Sequence, residues 1–110
     1  MTTKERLEAV VRKMQHEQHI SRDALVHGWC NVFSVEAKKA IPDAVIVASD
    51  FGGLIDEHEF LKIGNKYYDA QDTSGVDSPD QLKYFRKDFG HFTIPKGYRT
   101  QVTIRKWPHL

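Results

Sequence analysis

The chain has 110 residues, 40% of them hydrophobic and 28% charged, and 16 Lys and Arg against 15 Asp and Glu leave a formal charge of +1. These are the proportions of one globular domain, residues 1–110, and they exclude a disordered chain. The even charge balance gives no expectation of nucleic-acid binding, and a single cysteine, Cys30, excludes an internal disulfide.

Thr2 and Glu5 form a capping-box pattern, and Leu7, Val10, Val11 and Met14 recur at helical spacing. The pattern predicts a helix over Thr3 to Gln18. This charged amphipathic start has no apolar stretch of the secretory kind, and the longest apolar run, Ala44 to Ala48, is too short to cross a bilayer. The expectation is a cytoplasmic protein without a membrane segment. His16 and His19 read as a solvated helix face.

A turn around Ala24 to Val26 precedes Gly28, which supplies a tight approach to a second helix. Trp29, Phe33, Ala37 and Ala40 step by three or four, and Pro42 stops the helix at Ile41. Cys30 therefore falls in the first turn. There the free N–H groups and the helix dipole favour a thiolate, the nucleophilic form of cysteine. The N–H groups of Cys30 and Asn31 are positioned to donate to a developing oxyanion. For a lone cysteine the plain alternative is a small buried hydrophobe.

Val45 to Ala48 is β-branched and reads as a central strand. Gly52 and Gly53 lie in the following loop and lack the context of a phosphate loop; they are expected beside His58, together with Trp29 and Asn31, as substrate-binding positions. His58 to Ile63 and Lys66 to Gln71 read as two strands of a hairpin turning at Gly64-Asn65. A two-residue turn pairs Ile63 with Lys66, Leu61 with Tyr68 and Phe60 with Asp69. His58 and Asp69 then share a face as diagonal neighbours, at roughly 7–8 Å between backbones. The carboxylate is expected to orient the imidazole rather than support the core, with the second ring nitrogen free for the thiol. Leu61, Ile63 and Tyr68 fall on the opposite, apolar face, while the His58 face borders a cleft. The loop from Asp72 to Asp77 is expected to contribute to that cleft.

Ser78-Pro79-Asp80-Gln81 is a capping pattern that predicts a short helix to about Phe89, stopped by Gly90. Tyr98 to Lys106 alternates apolar and polar residues like a half-exposed strand, and the local excess of Lys and Arg in this last third reads as a solvated edge. Helices segregated from an antiparallel sheet make the fold class α+β. His27, Cys30, His58 and Asp69 also have metal-ligating side chains, but only His27 and Cys30 form a compact pair, so no metal and no other cofactor is expected.

Gly28-Trp29-Cys30-Asn31-Val32-Phe33, and the stretch from His58-Glu59-Phe60 through Gly64-Asn65 to Tyr67-Tyr68-Asp69-Ala70, resemble the papain-like and transglutaminase-like cysteine-nucleophile superfamily, which has small bacterial and phage members. The resemblance covers Gly28 to Ala70. It implies a papain-like core, with Cys30 as nucleophile, His58 as base and acid, and Asp69 as orienter. It also implies acyl-thioenzyme chemistry on the amide of a peptide or protein substrate. Many members carry a glutamine a few residues before the cysteine to complete the oxyanion hole; this chain has Ala24 there, with Gln18 and the His27 side chain as the nearby donors. The rival reading is a binding or inhibitory module on the same fold, such as a phage protein that grips a host factor.

Overall fold

The computed structural model describes residues 1–50, 57–86 and 102–105. Helix α1, Thr3–Gln18, opens with the capping box: the Thr2 hydroxyl accepts from the Glu5 N–H, and the Glu5 carboxylate accepts from the Thr2 N–H, both at 3.1 Å. Such a cap contributes about 1 kcal/mol. Leu7, Val10, Val11 and Met14 are buried, one stripe of the helix. His19 ends the helix in the left-handed region at φ 57°, its N–H bonding back to the Met14 carbonyl. A turn over 22–28 follows and closes at Gly28, whose φ of +108° strains any L side chain. The chain then enters α2, Cys30–Ala40, which buries Phe33, Ser34 and Ala37.

Among the described residues the sheet has four antiparallel strands: β1, Val45–Ser49; β2, His58–Ile63; β3, Lys66–Tyr68; and β4, Thr103–Ile104. Their spatial order is β3-β2-β1-β4, so β1 and β2 are the inner strands. β1 pairs with β2 from Val45 opposite Lys62 to Ser49 opposite His58, and α1 lies on α2, which lies on β1 and β2. This is the α+β arrangement the element order implied. No helix among the described residues is long and apolar enough to cross a membrane.

The register of β2 with β3 is Ile63 opposite Lys66, Lys62 opposite Tyr67 and Leu61 opposite Tyr68, as the two-residue turn requires. Gly64 alone supplies the positive φ, +62°; Asn65 does not use its tolerance for it.

Two elements differ from expectation, and a third is described only in part. The strand expected to run to Gln71 ends at Tyr68, because the Asp69 carboxylate captures the next backbone donors and turns the chain (below). The helix expected after Ser78 begins as a 3₁₀ turn, Pro79–Gln81, and Leu82 at ψ 138° interrupts it before α3, Lys83–Arg86. The Gln81 side chain accepts from the Asp77 and Ser78 N–H groups at 2.9 and 3.0 Å, which satisfies that start but does not carry the helix past Leu82. The remainder towards Phe89 and the stop at Gly90 lie outside the described residues. Of the strand expected over Tyr98 to Lys106, the described part is Thr103–Ile104, paired with β1 at Ala48 and Val47.

Candidate active site

Cys30 is the first residue of α2 and is partly buried. His58 opens β2 and is fully buried; Asp69 follows β3 directly and is 2% exposed. The hairpin register brings the last two together: His58 Nε2 donates to Asp69 Oδ2 at 3.1 Å. The other carboxylate oxygen, Oδ1, accepts from the Gln71 and Asp72 N–H groups at 2.9 and 2.8 Å. One side chain therefore orients the imidazole and also builds the turn that ends the strand.

The second ring nitrogen, Nδ1, is buried and closes no hydrogen bond of normal geometry. With Nε2 committed to Asp69, Nδ1 is the atom left for the Cys30 thiol, and the two groups shift one another's titration. The contact is an apposition rather than a closed bond. Burial is the strongest single influence on the thiol and pushes its pKa up. The hydrogen-bonding capacity and charge of His58, helped by the Glu59 backbone, outweigh burial, and the thiol sits below its ordinary value. Burial likewise presses hardest on His58, downward, yet Asp69 and Cys30 together hold its pKa above the usual imidazole value. Both shifts favour a thiolate–imidazolium pair.

An aromatic cover that periodicity does not reveal lies over the pair. The Tyr84 ring stacks on the His58 ring with centroids 3.8 Å apart and planes 19° apart, and Phe85 meets the same ring edge-on at 5.6 Å. Phe60, two residues along β2, packs against Phe85 at 5.9 Å. The His58 face is therefore sealed where a cleft border was expected. Both faces of β2 are buried, since Leu61 and Tyr68 are covered on the other side. At the cysteine end, Trp29 is 46% exposed and Asn31 is exposed.

The other expected positions divide. Gly52 and Gly53 lie outside the described residues. In the loop after Asp69, the carboxylate of Asp72 is turned to the Lys83 N–H and Val76 bridges to Tyr67, so this segment packs against the site rather than opening from it. His27, near the thiol in sequence, is anchored to Asp23: its Nδ1 lies 3.1 Å from the Asp23 carbonyl, and its ring lies 5.4 Å from Tyr84. Gln18 is exposed at the end of α1. Among the described residues no three His, Cys, Asp or Glu side chains gather as a metal site would require.

The sequence reading also missed a polar clamp beside the site. Arg22 donates to the Ala70 carbonyl at 2.7 Å and to Glu8 Oε2 at 2.6 Å, and the Thr73 hydroxyl donates to Glu8 Oε1 at 3.0 Å. This ties α1 to the turn that holds Asp69. The residue types were visible, but a contact across 48 positions of chain leaves no local signal. No family model, curated protein or solved structure matches the chain.

Proposed function

We propose that the chain is a small cysteine-dependent hydrolase or acyl transferase acting on an amide bond, with Cys30, His58 and Asp69 as its triad on a papain-like core. The observation that carries this reading is a buried imidazole whose Nε2 is fixed by the buried Asp69 carboxylate and whose Nδ1 is left to the Cys30 thiol at the start of α2; the lowered thiol and raised imidazole titrations agree with it. In the reaction the Cys30 thiolate adds to the amide carbon, and the oxyanion that forms draws on N–H groups at the start of α2. His58 gives its proton to the departing amine as the carbon–nitrogen bond breaks, leaving a thioester. Water or an acceptor amine then loses a proton to His58 as it attacks the thioester, and the thiolate departs. Asp69 keeps the ring in the tautomer that presents Nδ1 throughout.

The rate of Cys30 alkylation by iodoacetamide, followed against pH, tests the assignment. An inflection well below the ordinary thiol value of about 8.5 is expected. An inflection at or above that value removes the nucleophile. It would favour a silent binding module, the reading to which the full enclosure of His58 lends support.

A further inference from the structure

Four contacts close a ring around His58. Its Nε2 donates to Asp69 Oδ2; Asp69 Oδ1 accepts from the Asp72 N–H at 2.8 Å; Asp72 Oδ2 accepts from the Lys83 N–H at 2.8 Å; and Tyr84, the next residue, stacks back on the His58 ring. Asp72 stands at the one point where both halves meet. Its backbone holds the orienting carboxylate, and its side chain holds the first N–H of α3, the helix that carries Tyr84 and Phe85.

We propose that Asp72 is a positioning residue that fixes the aromatic cover over His58. Helix α3 starts afresh at Lys83, after Leu82 breaks the preceding 3₁₀ turn, so no earlier helical turn fixes where it begins. Its place must come from contacts outside it. Tyr84 and Phe85 contribute buried rings, but apolar contact is not directional and does not by itself hold a ring parallel to the imidazole. The bond from Asp72 is directional and involves a charged acceptor, the stronger kind. It pins the backbone one residue before Tyr84 and so sets where the stacked ring begins. Burial and the neighbouring Asp69 charge raise the Asp72 pKa while the Lys83 N–H lowers it, as expected for a half-buried carboxylate used for support. With the cover in place, the His58–Asp69 bond is buried and Nδ1 is left to face the Cys30 thiol. The proposal rests on the triad reading for its function, but not for its geometry.

NMR of the whole chain tests it. A ring stacked at 3.8 Å shifts the His58 imidazole protons upfield, and Tyr84→Leu marks the position of those signals without the cover. Each variant is read on the plateaus of its pH titration, so that protonation does not mimic a lost stack. Asp72→Ala is expected to lose most of the shift and to speed exchange of the Lys83 amide on the order of tenfold. Asp72→Asn keeps an acceptor oxygen without the charge and should fall between wild type and Asp72→Ala. If Lys83 exchange accelerates while the His58 shift stays at its wild-type value, Asp72 merely caps α3 and the proposal fails. If Asp72→Ala does not fold, Asp72→Asn decides, and an unchanged shift in it is equally fatal. Cys30 alkylation measured in parallel reports on the triad separately, because an ordinary thiol pKa would refute the triad and leave the ring shift untouched.

Discussion

Two polar clusters meet at the turn after β3, one residue apart in the chain, and they are built on opposite plans. In the Glu8–Arg22–Thr73 cluster, both carboxylate oxygens and both terminal guanidinium nitrogens have partners, the Ala70 carbonyl among them, and the Arg22 side chain is 39% exposed. In the His58–Asp69 cluster the groups are almost wholly buried, and one atom, His58 Nδ1, is left without a closed bond. A buried polar atom without a partner costs free energy, roughly 1–3 kcal/mol for a group of this kind. Folding alone would favour filling it. Here that atom faces the Cys30 thiol, and the two groups shift one another's titration. The satisfied cluster should carry stability and the unsatisfied one reactivity.

The largest expected effect breaks that contrast at its centre. Cys30→Ala should abolish alkylation and any amide-cleaving activity, yet fold, because the residue is only partly buried at the start of a helix and alanine suits that position. Circular dichroism paired with an activity assay checks both halves. Activity surviving in the folded variant would show that the vacant nitrogen serves something other than this thiol.

Asp69→Asn comes next and is sharper. Asparagine keeps an oxygen to accept the Gln71 and Asp72 N–H groups, so the turn should persist. Its amide nitrogen, however, is a donor facing Nε2, and a neutral ring must then carry its proton on Nδ1. The thiol loses its acceptor and its cationic partner together. Its pKa should rise, and alkylation at pH 7 should slow roughly tenfold or more, since each whole step in thiol pKa removes about nine-tenths of the thiolate. The inflection of the pH profile measures this, and an unmoved inflection would mean that Asp69 serves only the turn.

The same pair leaves a mark on stability against pH. A raised His58 pKa gives stability that is whole below about 6.5 and lost as pH climbs through the folded value. A lowered Cys30 pKa gives stability present above about 8.5 and lost as pH falls through the folded value. Between those limits the two slopes oppose one another, because a raised imidazole adds a proton to the folded chain where a lowered thiol removes one. Urea unfolding of wild type and Cys30→Ser across this window should therefore show the wild-type advantage growing with pH. An advantage that shrinks reverses the sign of the thiol shift.

Much of this site was legible before any coordinates. The hairpin register followed from Gly64-Asn65 and the alternation around it, since a two-residue turn leaves one pairing and one shared face for His58 and Asp69. Gly28 and Pro42 bounded α2 and put Cys30 at its start. What stayed hidden depends on contacts between distant segments. Tyr84-Phe85 reads locally as two aromatics in a short polar helix, and nothing in that pattern says they cover an imidazole 26 residues earlier. Asp69 was legible as an orienter but not as the residue that also builds the turn, because its two oxygens are spent on different tasks. Trp29 follows the same logic: it keeps the spacing of Phe33 and Ala37, yet at the N-cap it is 46% exposed.

The smallest expected effect decides whether the two clusters are separate in function. Arg22→Met keeps the length and the apolar stem of the side chain and removes the donors to Glu8 and to the Ala70 carbonyl. The pair is partly exposed, so its ionic contribution is small, about 0.2–1 kcal/mol, and the hydrogen bond to Ala70 adds a similar amount. A loss of about 1–2 kcal/mol on urea unfolding is therefore expected. The Cys30 alkylation profile should not move, because Asp69 is held by its own bonds to Gln71, Asp72 and His58, none of which passes through Arg22. A shifted profile would show that the clamp reaches the thiol through Ala70 and the adjoining peptide, joining the two clusters into one device. An unshifted profile with lowered stability would keep the division of labour: the saturated cluster secures the turn, and the unsaturated one, a single residue away, is free to react.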